Sequence, residues 1–343
     1  MMQLHDMGRF GAGILLASCF NGLAAGQDLH FSQYFNAPLM VNPANTGFIP
    51  DANYRFGVNY RDQWTNIPVP YETMSAYGDV QLLRDRLTYG WLGVGGSVIQ
   101  DDAGAGDLVS TSVYGSIAYH QLLGQSSLLS AGFNAGWSQK RIDLSKLTFG
   151  DQWNGKFFDA ALPTNEPITQ TSVAYLDLQA GLNYAYFPNE NLYFNAGFSV
   201  QHVNQPKETF YADNNQIPRR YIAFLYISLK LSDMVIINPS GYYTNQANAS
   251  ETMVGGYISY NLSGDGDRQL LGGVFYRFGD AAIPMVGYQL SRLKMMFSYD
   301  ATVSSLGNFN QHVGAYELSM VYSGSYERRN LFGRSRDFRC PSF

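Results

Sequence analysis

The chain of 343 residues combines 25 tyrosines, 22 phenylalanines and 35 glycines with only 14% charged residues, a mixture unusual for a soluble enzyme. A formal net charge of −5 gives no basic face of the kind that nucleic-acid binding needs. No run approaches the roughly 18 consecutive apolar residues of a membrane helix, so any crossing of a bilayer falls to strands.

Residues 1–26 read as a secretory signal, with Arg9, an apolar run over 10–17 and small residues at Ala24, Ala25 and Gly26. Cleavage is expected before Gln27. The competing reading is a lipoprotein box, Leu16, Ala17, Ser18 and Cys19, which would lipidate Cys19. Cleavage before Gln27 leaves Cys340 as the only cysteine and allows no intrachain disulfide.

Residues 27–51 form an N-terminal lead-in whose apolar positions, Phe31, Tyr34, Phe35, Leu39, Met40 and Val41, hold neither a helical nor a strand period. Pro38 and Pro43 remove backbone donors, and Asn42, Asn45 and Gly47 suit turns. Such a segment is either a coiled lead-in to a soluble β-domain or a plug packed inside a barrel made by residues 52–323. As a plug it would pack its aromatic rings and set Asn42 and Asn45 against inward polar groups such as Arg55, Asn59 and Arg61.

From residue 52 a period of two takes over. Tyr54, Phe56, Val58 and Tyr60 alternate with Arg55, Gly57, Asn59 and Arg61, and Met74, Ala76 and Val80 with Thr73, Ser75 and Asp79. The pattern recurs through 89–99, 108–120, 128–140, 176–184 and 192–200. It weakens over 221–231 and 234–244, returns with Val254, Ile258 and Tyr260 against Tyr257 and Ser259, and is followed by strands near 269–278 and 282–290 and by regular alternation over 293–299 and 316–322. About fourteen strands result, an even number within the range of bacterial outer-membrane barrels. Arg55, Arg61, Asp79, Lys140, Asp177, Lys294, Asp300 and Glu317 all fall on the less apolar face. Arg or Lys at the bilayer midplane costs about 2–4 kcal/mol in such barrels, so the polar face is assigned to the lumen, with Arg55, Asn59 and Arg61 lining it. Connections after even-numbered strands are expected to be short, at 84–87, 121–127, 188–191, 232–233, 263–268 and 291–292. The others are longer, notably 142–170 and 204–219, with Gly279 and Asp280 as the exception. Short periplasmic turns and long outer loops put both termini in the periplasm.

No catalytic, cofactor or metal site is expected. His30, His120, His202 and His312 have no second ligand at i+2 to i+4, and residues 101–107 lack the alternating carboxylates and distal Glu of a calcium loop. The loop 142–170 carries Trp153, Phe157 and Phe158, and either folds over the barrel mouth or meets a partner there. The tail 324–343 carries Arg328, Arg329, Arg334 and Arg336, suited to an acidic partner or to a solvated end.

The opening His30, Phe31, Ser32, Gln33, Tyr34, then Asn42, Pro43, Ala44 and Gly47, resembles the start of the mature PorP/SprF family. Further similar segments are Tyr60 and Arg61 with Gln63 and Trp64, Asp102 to Gly104, Arg141 to Asp143, Gln201 and His202 before Pro206, and Tyr316 to Leu318. The resemblance spans about residues 27–322; the hairpin near 280 and the tail past Ser323 fall outside it. It implies a non-enzymatic outer-membrane component of type IX secretion or gliding machinery in a Gram-negative, Bacteroidota-like cell. Its partners would be other secretion proteins and a dedicated, adhesin-like secreted substrate. The alternative is a passive transporter of small or hydrophobic molecules, of the long-chain fatty-acid type, which also joins fourteen strands to an N-terminal hatch.

Overall fold

The computed structural model describes residues 29–326 except 51, 65–70, 85, 105, 148, 158, 160, 212–213, 265 and 306–312. The signal segment with Cys19, the tail arginines Arg328, Arg329, Arg334 and Arg336, Phe158, His312 and Cys340 lie outside the described residues. Among the described residues fourteen antiparallel strands close into one barrel. They are β1 (Tyr54–Gln63), β2 (Tyr71–Leu82), β3 (Gly90–Ala103), β4 (Leu108–Leu122), β5 (Ser127–Arg141), β6 (Ser172–Asn189) and β7 (Leu192–Gln201). The ring continues with β8 (Arg220–Lys230), β9 (Val235–Gln246), β10 (Ala249–Asn261), β11 (Arg268–Arg277), β12 (Ala281–Leu290), β13 (Leu293–Thr302) and β14 (Val313–Gly324). Each strand pairs with its sequence neighbours, and β1 closes on β14 in a register running from Tyr54 opposite Gly324 to Gln63 opposite Ala315. Closure leaves no open edge, the condition for strands to sit in hydrocarbon. No helix is long and apolar enough to cross a membrane.

Side-chain alternation follows the expected faces. Phe56, Met74, Val98, Ile117, Phe133, Leu176 and Leu318 are exposed on the outside, whereas Asn59, Arg61, Asp79, His120, Asp177 and Glu317 are buried inside. The expectation of a polar lumen holds for only part of the ring. From β8 to β13 the inner face carries an apolar cluster, with Ile222, Phe224, Met253, Leu271, Phe275, Ile283 and Met296 buried together, beside polar positions such as Asn238, Ser259 and Gln269. Inward apolar residues reduce the contrast between the two faces, and on β8 and β9 the period weakens in the sequence.

The strict alternation of short and long connections is corrected by the structure. The β9–β10 link is a tight hairpin at residues 247–248, with Ala247 at φ +51°, and the β3–β4 link occupies only 104–107, while the β11–β12 link at 278–280 is the short exception expected at Gly279 and Asp280. An alanine in the left-handed region carries no turn signal, so the sequence reading placed a longer loop there. The contrast survives in the β5–β6 and β7–β8 connections at 142–171 and 202–219, which stand at the same barrel end.

Candidate functional site

The site is the meeting of residues 29–50 with the inner wall. This segment folds as three short turns: a 3₁₀ turn at Tyr34–Asn36, one α-helical turn at Pro38–Val41 and a 3₁₀ turn at Pro43–Asn45. Pro38 and Pro43 each stand at a first helical position, where a missing N–H costs nothing. Asn42 caps the last turn, its side-chain oxygen accepting from the Ala44 N–H at 2.8 Å. Phe31, Ser32, Gln33, Tyr34, Asn42 and Ala44 are all buried.

The first turn is held by charge. Ser32 and Gln33 donate their backbone N–H groups to Glu317, each at 2.8 Å. The Ser32 hydroxyl donates to Asp300 at 2.8 Å and accepts from Arg61 at 3.0 Å and Arg277 at 2.6 Å. Arg61 bridges Asp300 at 3.0 Å and Glu317 at 3.1 Å, and Arg277 reaches Asp300 at 3.0 Å. The four ionic partners come from β1, β11, β13 and β14 and are all nearly inaccessible, so their attraction is weakly screened. Asn36 donates to Ser319 at 2.8 Å, and His30 lies 3.1 Å from Glu251. Next to this network Tyr34 and Phe35 turn to the apolar wall. Tyr34 packs 5.0 Å from Tyr242, and Phe35 5.3 Å from Tyr257 and 5.7 Å from Phe275. Burial raises the Tyr34 phenol above its ordinary pKa.

The second half is held by neutral bonds to β3, β4, β6 and β7 and by one carboxylate, Asp79 of β2. Asn42 donates to the carbonyls of Leu182 and Phe198, and Asn183 donates to the Asn45 side chain at 2.9 Å. Ser199 and Gln201 donate to the Val41 and Met40 carbonyls at 2.6 and 2.7 Å. His120 bonds the Thr46 carbonyl at 2.8 Å, Trp91 donates to the Gly47 carbonyl at 2.9 Å, and the Gly47 N–H donates to Asp79 at 2.7 Å. Gly47 has φ +68° and passes against Gly93, where a Cβ would overlap the Thr46 carbonyl. Gly181 in β6 likewise makes room for the Asn42 amide.

The structure therefore corrects the expected partners of Asn42 and Asn45. Arg55 reaches the Asn45 carbonyl at 3.3 Å and Asp79 at 2.7 Å. Arg61 instead serves Ser32, and Asn59 donates to Ser75 at 3.0 Å. Glu317, Asp300 and Arg277 were legible as inward charges or strand ends but not as holders of this segment; nothing local in the sequence marks contacts across some 250 residues.

At the end with the long connections, the 142–171 loop packs on the 202–219 loop through Thr169 and Gln170 bonds to Phe210 and Thr209. Lys140 pairs there with Glu208 at 2.6 Å. Trp153 and Phe157 remain exposed on that loop. Among the described residues no group of His, Cys, Asp and Glu is arranged to hold a metal ion.

A family model described as type IX secretion system membrane protein PorP/SprF matches residues 23–322. No curated protein matches the chain. Among solved structures, the Ralstonia pickettii toluene transporter TbuX superposes with a TM-score of 0.51 at 12% identity, over 85% of this chain and 94% of that one. The CymD monoaromatic hydrocarbon channel gives 0.50 at 11% identity over 90% and 96%. A TodX deltaS2S3 mutant monoaromatic hydrocarbon channel gives 0.50 at 11% over 85% and 94%. At such identities these likenesses speak for the barrel fold alone.

Proposed function

The chain belongs to the type IX secretion system membrane protein PorP/SprF family, and on that premise we propose that it is a non-enzymatic outer-membrane component supporting export or surface attachment of a dedicated secreted protein. Residues 27–51 act as a plug in this reading, and both termini face the periplasm. One observation carries it: the same short segment is bonded by charge to β1, β11, β13 and β14 at one end, and at the other to the Asp79 carboxylate of β2 and by neutral bonds to β3, β4, β6 and β7. A lumen filled in this way does not pass a folded protein. The barrel instead holds partners at its ends, through Trp153 and Phe157 on the outer loop and through the arginine-rich tail. Exposed aromatic side chains on an ordered loop are the chemistry of an interface anchor.

Planar-bilayer recording tests the plug. Intact protein should conduct little, deletion of 28–46 should open a porin-like conductance, and deletion of 327–343 should leave conductance unchanged. Open-porin conductance from intact protein would sink the reading. Affinity purification from native outer membranes should retain secretion proteins, and a protein that retains none loses the assembly role. For orientation, single cysteines at Asn154 or Asn214 in a Cys340→Ser background should react with an impermeant reagent on whole cells, and one at Asn189 should not. A second reading, passive transport of small hydrophobic molecules, is favoured by the apolar cluster on the inner face of β8–β13.

A further inference from the structure

The segment and the wall do not fill the lumen completely. Beside Phe35 and Phe48 a cavity of about 290 Å³ remains, bounded by Phe224, Tyr226, Tyr257 and Leu271. Roughly 150 Å³ suffices for a benzene in an apolar site, so this chamber takes a body about twice that size. Its lining sets these rings and Leu271 beside neutral polar side chains, among them Asn195, Asn238, Ser259 and Gln269, and two cations, Lys294 and Arg55; no carboxylate lines it. Arg55 is already engaged with Asp79, at 2.7 and 3.0 Å. Lys294 is not: among the described residues its ammonium has no carboxylate within ion-pair distance and makes no hydrogen bond, and it stands 5.6 Å from the centre of the Phe35 ring. A ring face offsets only part of the cost of keeping an ammonium away from water. Two cations and one carboxylate leave one positive charge beside a chamber that also carries apolar surface. A second cavity, of about 310 Å³, shares Phe35, Arg55 and Lys294 with the first and reaches Arg292, Ser323 and Gly324 at the barrel end bearing the β12–β13 turn.

We propose that this chamber binds a small amphipathic monocarboxylate, a medium-chain alkanoate or arylalkanoate, entering past Arg292. Its carboxylate lies against Lys294 and Arg55, and its apolar body lies between Phe35, Phe224, Tyr257 and Leu271. A monoanion matches the single uncompensated charge, whereas a dianion would leave a net negative charge in a poorly solvated site. The volume excludes a two-chain lipid. The site rests on the wall and the segment and is independent of the export reading, since it needs neither a partner protein nor conduction.

The test uses the full chain in lipid nanodiscs and isothermal titration with octanoate, with octan-1-ol as the neutral counterpart and acetate as the bare head group. Octanoate should bind saturably with one site per chain, octan-1-ol at least about tenfold more weakly, and acetate not measurably. Lys294→Met should weaken octanoate about tenfold or more without changing octan-1-ol, and Lys294→Arg should restore most of the affinity. Folding is checked by the shift in gel mobility on heating, and Lys294→Gln replaces the Met variant if that one does not assemble. Absence of saturable octanoate binding to the wild type overturns the proposal. So does equal binding of octanoate and octan-1-ol, or undiminished octanoate binding in a folded neutral variant.

Discussion

The inner surface of this barrel has two walls. From β1 to β7 it presents Asn, Ser, Gln and His, with Asn134, Asn183, Ser199 and His120 fully or nearly buried; from β8 to β12 it presents Phe275, Met253, Leu271 and Ile283. The N-terminal segment matches both. On the polar wall Asn42 donates to the Leu182 carbonyl, Asn45 accepts from the Asn183 side chain and the Thr46 carbonyl bonds His120, whereas Tyr34 and Phe35 face the apolar wall through ring contacts. The ionic cluster lies on one side of the ring, where Asp300 and Glu317 of β13 and β14 stand between Arg61 of β1 and Arg277 of β11. Each holding mode has a distinct weakness. A hydrogen bond to a buried carbonyl is modest when made and expensive when broken, apolar packing is graded by volume, and a buried ion pair fails badly when one partner goes.

Those weaknesses rank the substitutions that would break the comparison. Arg61→Met leaves the buried Glu317 without its cation and Asp300 with Arg277 alone, and should cost about 3–5 kcal/mol, read as the shift in urea unfolding of the barrel in liposomes. A loss below about 1 kcal/mol would mean that the cluster does not hold the segment. Phe275→Ala opens a hole under Phe35 and Tyr34 and should cost about 3–4 kcal/mol, with little dependence on salt. Strong salt dependence would show that charge holds this wall as well. Asn42→Ala leaves the Leu182 and Phe198 carbonyls without their donor and should cost about 1–3 kcal/mol. Limited proteolysis should then cut within residues 29–50 while the strands resist; cleavage spread over the strands would mean that the polar wall itself needs Asn42. Trp153→Ala, outside both walls, should change stability by no more than about 0.5 kcal/mol yet reduce retention of secretion partners on an affinity column. Unchanged retention would move the partner site away from this loop.

The architecture was largely legible because its signal is local. Period two follows from strand geometry, and the expense of a charge against lipid decides which face is which, so residues such as Leu176 and Asp177 can be assigned from their own neighbourhood. Fourteen strands could be counted in that way. The rule failed where its premise did. On β8 and β9 inward apolar residues such as Ile222, Phe224 and Tyr242 reduce the contrast between the faces, and at Ala247 the turn depends on a backbone angle that the residue type does not announce. The opening motif marked residues 30–47 as a unit, without showing which strands would receive it.

What the sequence determined by itself is thus the strand class, the approximate strand number and the facing of most strands, all properties of adjacent residues. Only the tertiary structure decided that β1 closes on β14 and that Ser32 meets Arg61, Arg277 and Asp300. It alone left Lys294 beside a chamber with no carboxylate on its lining. The reason is that ring closure and a buried charge network are set by the simultaneous packing of residues distant along the chain. Each member of such a network is, by itself, only one more polar side chain on an inward face.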